Sequence, residues 1–332
     1  ISQKNNKLSI EELEDVRLFA YTIKFRRLFN YPVFDNNGKF KLFDYKILSH
    51  SDVISQLSDG MTIGVGGWGA RRKPMSLIRA ICQSDLKDLT IVSYGGPDVG
   101  LLCAHRKVKK LIFGFVSLDM IPLDSHFRQA RQNGELEVME LDEGMVQWGL
   151  RAAAMKLSFL PTRVGFGTDV LKNNPEIKLI TSPYADGEQY VAMPALNLDV
   201  ALLHVNKSDQ KGNTQIFGPD PFFDEMFARA AKKTYVSAEE VVETEGLGGK
   251  EGAIFNRFER SLVTGVTHAP GGAHPTSCAP NYGFDIEHLK TYSAAAKSFE
   301  DYNDKYLNIS HTDYIEAVGG EAFVNNIPLP QF

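Results

Sequence analysis

What the chain lacks narrows it first. No run of about 18 apolar residues occurs, so no segment reads as a membrane-spanning helix. Cysteine is scarce: Cys82, Cys103 and Cys278 stand far apart, odd in number and without a Cys-x-x-Cys pair. That excludes a disulfide framework and fits buried free thiols in a reducing, cytoplasmic setting. Positive charge is not in excess. With 36 Lys and Arg against 41 Asp and Glu the formal net charge is −5, which argues against a nucleic-acid surface. There is no Gly-x-Ser-x-Gly elbow, no Walker lysine and no His-Glu-x-x-His. Of eight scattered histidines only His268 and His274 are near neighbours; they read as surface or loop residues, and no metal site is expected.

What is present centres on residues 60–74, where an apolar run, Met61 to Val65, leads into Gly66, Gly67, Trp68 and Gly69. Three cations follow, Arg71, Arg72 and Lys73, and then Pro74 at the expected start of a helix. Strand, glycine loop and helix start together suit an anionic ligand. Gly64, Gly66 and Gly69 also spell a dinucleotide fingerprint. Its context argues against that reading: four residues separate Gly69 from Pro74, and the next strand, Leu89–Ser93, ends without an acid to hold a ribose.

From Ser51 onward, short apolar runs alternate with helical spacing. Helices are expected at 53–57, 74–83, 99–105, 124–133 and 145–155, with strands at 61–65, 89–93, 109–115 and 136–141. The alternation predicts an open, mostly parallel α/β sheet with flanking helices, whose functional loops lie beyond the carboxyl ends of the strands. The second half is richer in strands, at 190–194, 200–205, 214–217 and 234–236, with a helix at 222–232 and a C-terminal helix at 285–303. The acids Glu239, Glu240, Glu243 and Glu245 read as a solvated face, and 246–252 as a loop. Residues 1–46 differ in composition and carry the acids Glu11, Glu12, Glu14 and Asp15, which argues against a transit peptide.

Glu143 is the acid that stands out. It follows the strand at 136–141, beside Gly144, on the rim where the glycine loop should also lie. On spacing alone the plainer reading, a helix-start acid complementing the dipole, comes first; a catalytic carboxylate comes second.

Three ordered motifs resemble the α subunits of family I coenzyme A transferases. They are residues 60–68 with Lys73-Pro-Met75, residues 192–204 with Asp209-Gln-Lys-Gly-Asn213, and Ala269-Pro-Gly-Gly-Ala-His-Pro-Thr276, the last near the glutaconate branch. The resemblance runs from about Val53 to Tyr292. Residues 67–75, Tyr94-Gly-Gly-Pro-Asp98, Gly114-Phe-Val-Ser-Leu-Asp119 and 139–145 are more similar to the branch of steroid ring-opening acyl-CoA hydrolases. Residues 1–46 have no counterpart in it, so it implies an N-terminal extension, an α-type domain over 47–310 and a C-terminal tail over 311–332.

That resemblance implies hydrolytic ring opening of a cyclic β-keto acyl-CoA, with Glu143 as the catalytic acid-base group. Coenzyme A enters as part of the substrate, with no separate cofactor. A β-type partner is implied, in an α2β2 assembly, with no nucleic acid and no membrane. Amides of Gly66, Gly67, Trp68 and Gly69 are expected to form an oxyanion or coenzyme A site, and Arg71, Arg72 and Lys73 to bind substrate anions. The alternatives are transfer of coenzyme A between carboxylic acids and a non-catalytic subunit that only binds coenzyme A.

Overall fold

Runs of valine, isoleucine and leucine become strands covered on both faces. The computed structural model describes residues 45–329 except Ala185 and Asp220. The chain divides after Tyr45, and every element of the described residues lies in the unit beginning at Lys46. The extension expected over 1–46 falls, as far as residue 44, outside the described residues.

The first half contributes α1 (His50–Ile54), β1 (Thr62–Val65), α2 (Met75–Gln83), β2 (Leu89–Gly95), α3 (Pro97–Ala104), β3 (Val108–Val116), α4 (Ser125–Gln132), β4 (Glu137–Glu140) and α5 (Glu143–Ala154). Next come β5 (Phe159–Thr162), α6 (Val170–Asn173), β6 (Lys178–Thr181), β7 (Gln189–Pro194), β8 (Leu198–Asp209), β9 (Thr214–Gln215), α7 (Asp224–Ala230), β10 (Ala231–Val242), α8 (Gly249–Gly252) and β11 (Val263–His268). Four helices follow: α9 (Ile286–Ala294), α10 (Phe299–Tyr306), α11 (His311–Ala317) and α12 (Glu321–Asn325). Among the described residues, no helix is long and apolar enough to cross a membrane.

Strands run parallel in the order β11-β10-β8-β1-β2-β3-β4, with β9 antiparallel on β8. A separate antiparallel sheet pairs β5 and β6 on either side of β7. The mostly parallel sheet expected from the alternation is therefore the observed one. Successive strand residues point to opposite faces, so the central strands β2, β3, β8 and β10 serve two cores. Ile91, Leu111, Leu202 and Tyr235 join α2, α3 and α4 on one side. Their neighbours Val92, Ile112, Leu203 and Val236 join α5 and α7 on the other.

Several expectations need correction. Glu239, read as part of a solvated face, is buried in β10 because His204, Tyr282 and the Gly271 amide all bond its carboxylate. His274 is buried too, bonded to Tyr314 and Asp285. The single helix expected over 285–303 breaks between α9 and α10, through a 3₁₀ turn at Ala295–Lys297. Residues 311–329, expected as a tail, carry α11 and α12, whose Tyr314, Ile315 and Val324 pack with Ala273, Cys278 and Tyr282. All three cysteines are free and buried, as expected.

Candidate active site

Four segments converge at the carboxyl edge of the parallel sheet. Asp142 caps α5, accepting from the Gly144 amide at 2.7 Å, which makes Glu143 the first helical residue. The half-buried Glu143 carboxylate accepts a hydrogen bond from Trp68 Nε1 at 3.1 Å, from the loop after β1. Tyr94, near the end of β2, donates its hydroxyl to the Glu143 carbonyl at 3.1 Å. Burial, and secondarily the Glu143 and Asp142 carboxylates, pushes the Tyr94 hydroxyl well above its usual range, so it stays a neutral donor. From β3, Gly114 lets the start of α5 approach: a Cβ there would lie 2.8 Å from Glu143 Cα. Spacing ranked the helix-start reading of Glu143 first; the residue is indeed at the helix start, yet its carboxylate is tied to the glycine loop.

Trp68 is packed on several sides. Phe115 meets it edge-on at 4.8 Å, and Phe222 lies nearly parallel at 6.5 Å. The Arg71 guanidinium stands 4.9 Å from its ring and pairs with Asp119 at 3.3 Å. Arg71 keeps 38% of its side-chain surface exposed. Burial pushes the Asp119 carboxyl up, and Arg71 draws it back in part. Arg71 and Phe222 also border a cavity of ≈ 330 Å³, lined further by Arg72, Phe217, Pro280 and Phe284. Non-glycine residues with positive φ gather here: Arg72 at 48°, Asp119 at 57°, Phe222 at 52° and Phe223 at 69°. Strained backbone held by its surroundings is typical of functional loops.

The cationic triplet does not act as one patch, which corrects the sequence expectation. Arg72 is buried, pairing with Asp224 at 2.5 Å and donating to the His204 carbonyl at 3.0 Å. Lys73 is wholly buried, bonding Ser93 Oγ at 2.8 Å and facing Asp98 at 3.3 Å. Burial lowers the Lys73 pKa, and Asp98 opposes that shift. Both side chains brace the loop from within. Arg71 is the member that faces solvent.

The loop amides need the same correction. Gly66 donates to the Leu202 carbonyl, Gly67 to Asp224 Oδ1, Trp68 to the Arg71 carbonyl and Gly69 to the Tyr94 carbonyl, at 2.9, 2.9, 2.9 and 3.1 Å. An oxyanion hole needs donors aimed outward; these four point into the fold. Gly67 is required by this winding, since it takes φ 74° and a Cβ would lie 2.5 Å from the Arg71 carbonyl oxygen.

Sequence reasoning missed the residues that fix this arrangement. Asp224 carries no local signal, because it joins Arg72 from 152 positions away. Asp98 and Asp119 lay inside quoted motifs without a role. Behind the loop, His204, Glu239 and Cys278 bring three metal-type donors within 4.8 Å of one another. The His204 nitrogens are already engaged by Ser237 at 2.8 Å and Glu239 at 2.7 Å, so the group is a hydrogen-bonded brace.

Comparison with known proteins agrees with this fold. Residues 47–251 match the family model described as coenzyme A transferase. Over 285 residues the chain is 48% identical to the cholesterol ring-cleaving hydrolase IpdA subunit of Rhodococcus jostii strain RHA1, covering 82% of this chain and 95% of that one. The crystal structure of glutaconate coenzyme A-transferase from Acidaminococcus fermentans superposes with a TM-score of 0.79 at 26% identity, over 86% of this chain and 96% of that one. The decarboxylase AibA/AibB is similar at a TM-score of 0.71 and 27% identity, over 79% and 97%.

Proposed function

The chain belongs to the coenzyme A transferase family, and from that premise we propose that it is the α-type subunit of a heteromeric hydrolase that opens a ring of a cyclic β-keto acyl-CoA in steroid breakdown. The half-buried Glu143 carboxylate, tied to Trp68 at the sheet's carboxyl edge, supports this reading most. The hydrolase named among its relatives supplies the reaction class.

Glu143 acts as general base on water. The water oxygen adds to the ring ketone carbon as its proton passes to the carboxylate. Collapse of the tetrahedral adduct breaks the bond to the carbon beside the thioester, and the electron pair becomes a thioester enolate. Protonated Glu143 returns its proton to that carbon. One water is consumed, and the product is a carboxylate on the opened acyl-CoA. Arg71 pairs with an anionic group of the substrate, and the apolar cavity beside it receives the hydrocarbon portion.

Coenzyme A is part of the substrate, and no other cofactor takes part. Because the loop amides are engaged internally, donors to the oxyanion come from a β-type partner in an α2β2 assembly. Exposed Met120, next to Asp119, and Val164, beside Gly144, give that partner an apolar landing at the site. Such an enzyme works in the cytoplasm, where acyl-CoA is made and thiols stay reduced.

The test uses the complex with its partner. Glu143→Gln keeps the shape and removes the proton acceptor, so turnover should fall by ~10²–10⁴ while substrate still binds. Borohydride or hydroxylamine trapping reports on the competing chemistry. A partner-bound glutamyl-CoA adduct, together with near-normal activity of Glu143→Gln, would make this chain the coenzyme A-binding half of a transferase. Full activity from the isolated chain would remove the need for a partner.

A further inference from the structure

A second cleft, of ≈ 620 Å³, lies between α1, α2 and the start of α11. Neither Glu143, Trp68 nor Arg71 lines it. At its floor is Arg79, only 4% exposed. Its Nη1 donates to the His274 carbonyl at 3.0 Å, its Nη2 meets His311 Nδ1 at 3.2 Å, and its guanidinium lies 3.6 Å from the Tyr314 ring centre. All three partners are neutral. His311 Nε2 donates to the Pro270 carbonyl at 2.9 Å, which leaves Nδ1 to accept from Arg79. Burial and the Arg79 charge lower the His311 pKa to about 3, and burial with Arg79 lowers that of His50 to about 4. Among the described residues no carboxylate pairs with Arg79.

A buried guanidinium without a counter-charge is costly, and so is each buried polar atom without a partner. Three such atoms belong to residues that line this cleft: Arg79 Nε, Ser76 Oγ and His50 Nε2. The other serines along its wall are engaged locally: Ser49 caps α1 and meets Ser51 Oγ, Ser55 bonds the Asp52 carbonyl, Ser310 caps α11, and Ser84 bonds the Ile81 carbonyl. A cation, a hydroxyl and an imidazole, each with a shielded polar atom that lacks a partner, thus belong to residues around one space large enough for a ligand.

We propose that this cleft binds a phosphate-type oxyanion, with Arg79 Nε, Ser76 Oγ and a ring N–H of His50 as donors. The three atoms are shielded from solvent in this structure, so binding goes with rotamer changes at Ser76 and His50 and a shift of the Arg79 side chain that uncover them to the anion. The anion is either free phosphate or a phosphate of coenzyme A; only the second source rests on the acyl-CoA reading.

Titration of the full chain with inorganic phosphate, against chloride at equal ionic strength, tests the site by calorimetry and Tm. Saturable binding and a matching rise in Tm are expected. Ser76→Ala and His50→Gln should each weaken phosphate about tenfold, in keeping with loss of a hydrogen bond to a charged group. Both variants leave the Arg79 packing on Tyr314 in place, so the test does not depend on an Arg79 variant that fails to fold. Glu143→Gln should bind phosphate unchanged, which separates this site from the catalytic reading. Displacement of phosphate by coenzyme A but not by its dephospho form identifies the 3′-phosphate as the occupant; displacement by both identifies the pyrophosphate, and by neither, free phosphate. Absence of saturable binding overturns the site, as does unchanged affinity in a folded Ser76→Ala/His50→Gln double variant.

Discussion

Lys73 and Arg71 are two positions apart and oppositely placed. The Lys73 ammonium sits wholly inside with Asp98, whereas Arg71 reaches solvent beside Trp68. Lys73→Met leaves the Asp98 carboxylate buried without its counter-charge. Breaking a buried pair in this way costs about 3–5 kcal/mol, which denaturant unfolding will show. Arg71→Ala breaks a part-exposed ion pair and should cost about 1 kcal/mol or less, and should raise KM more than it lowers kcat. Equal stability losses in the two variants would contradict this division of labour. The sequence could not make it, because inward and outward cations differ only in partners that lie elsewhere in the chain. Asp98 and Asp224 become partners only when α3 and α7 are folded against the loop. The position of Glu143 at the carboxyl edge of the sheet, by contrast, is legible from its place after a strand.

At the scale of elements, the site depends on how closely α5 approaches β3. Gly114 sets that distance, since any Cβ would press on the backbone of Glu143 at 2.8 Å from Cα and 3.1 Å from N. Gly114→Ala should therefore push the start of α5 outward and stretch the hydrogen bond from Trp68 to Glu143. Turnover is expected to fall by at least tenfold with the fold retained, as measured by kcat against circular dichroism. Wild-type turnover in Gly114→Ala would mean that Glu143 tolerates displacement. Elements with strong periodicity were readable: α2, β2, β3 and α4 lie within two or three residues of their expected spans. The expected helix start at Met145 falls two residues late, because the Asp142 side chain caps α5 through the Gly144 amide and makes Glu143 its first residue. Four-residue β5 and β6 escaped notice. They pair only with β7 in a small sheet whose outer residues are exposed, so no continuous apolar run marks them. Gly265 likewise interrupts the run that would have announced β11.

Across the whole molecule, buried imidazoles join the C-terminal helices to one another and to α2. His288 on α9 bonds the Tyr302 hydroxyl on α10 at 2.9 Å, while His311 on α11 meets Arg79 on α2. Burial lowers the pKa of His288 to about 3, helped by the neighbouring His274; His311 stands at about 3 and His50 at about 4. In the unfolded chain each returns to about 6.5. Below that pH the unfolded state binds protons that the folded state refuses, so stability is full above about 6.5 and is lost as pH falls toward 3–4. Each histidine contributes a slope of at most about 1.4 kcal/mol per pH unit within that window. Asp124 and Asp224 act in the opposite sense, because burial raises their carboxyl pKa values and acid then favours the folded state. The decisive measurement is therefore a difference. In phosphate-free buffer between pH 6.5 and 5, Tm of the parent should fall, and His288→Gln, which has no imidazole to titrate, should fall less steeply while starting from a lower value. Parallel pH profiles for the two proteins would show that proton uptake at His288 does not weaken the join between α9 and α10.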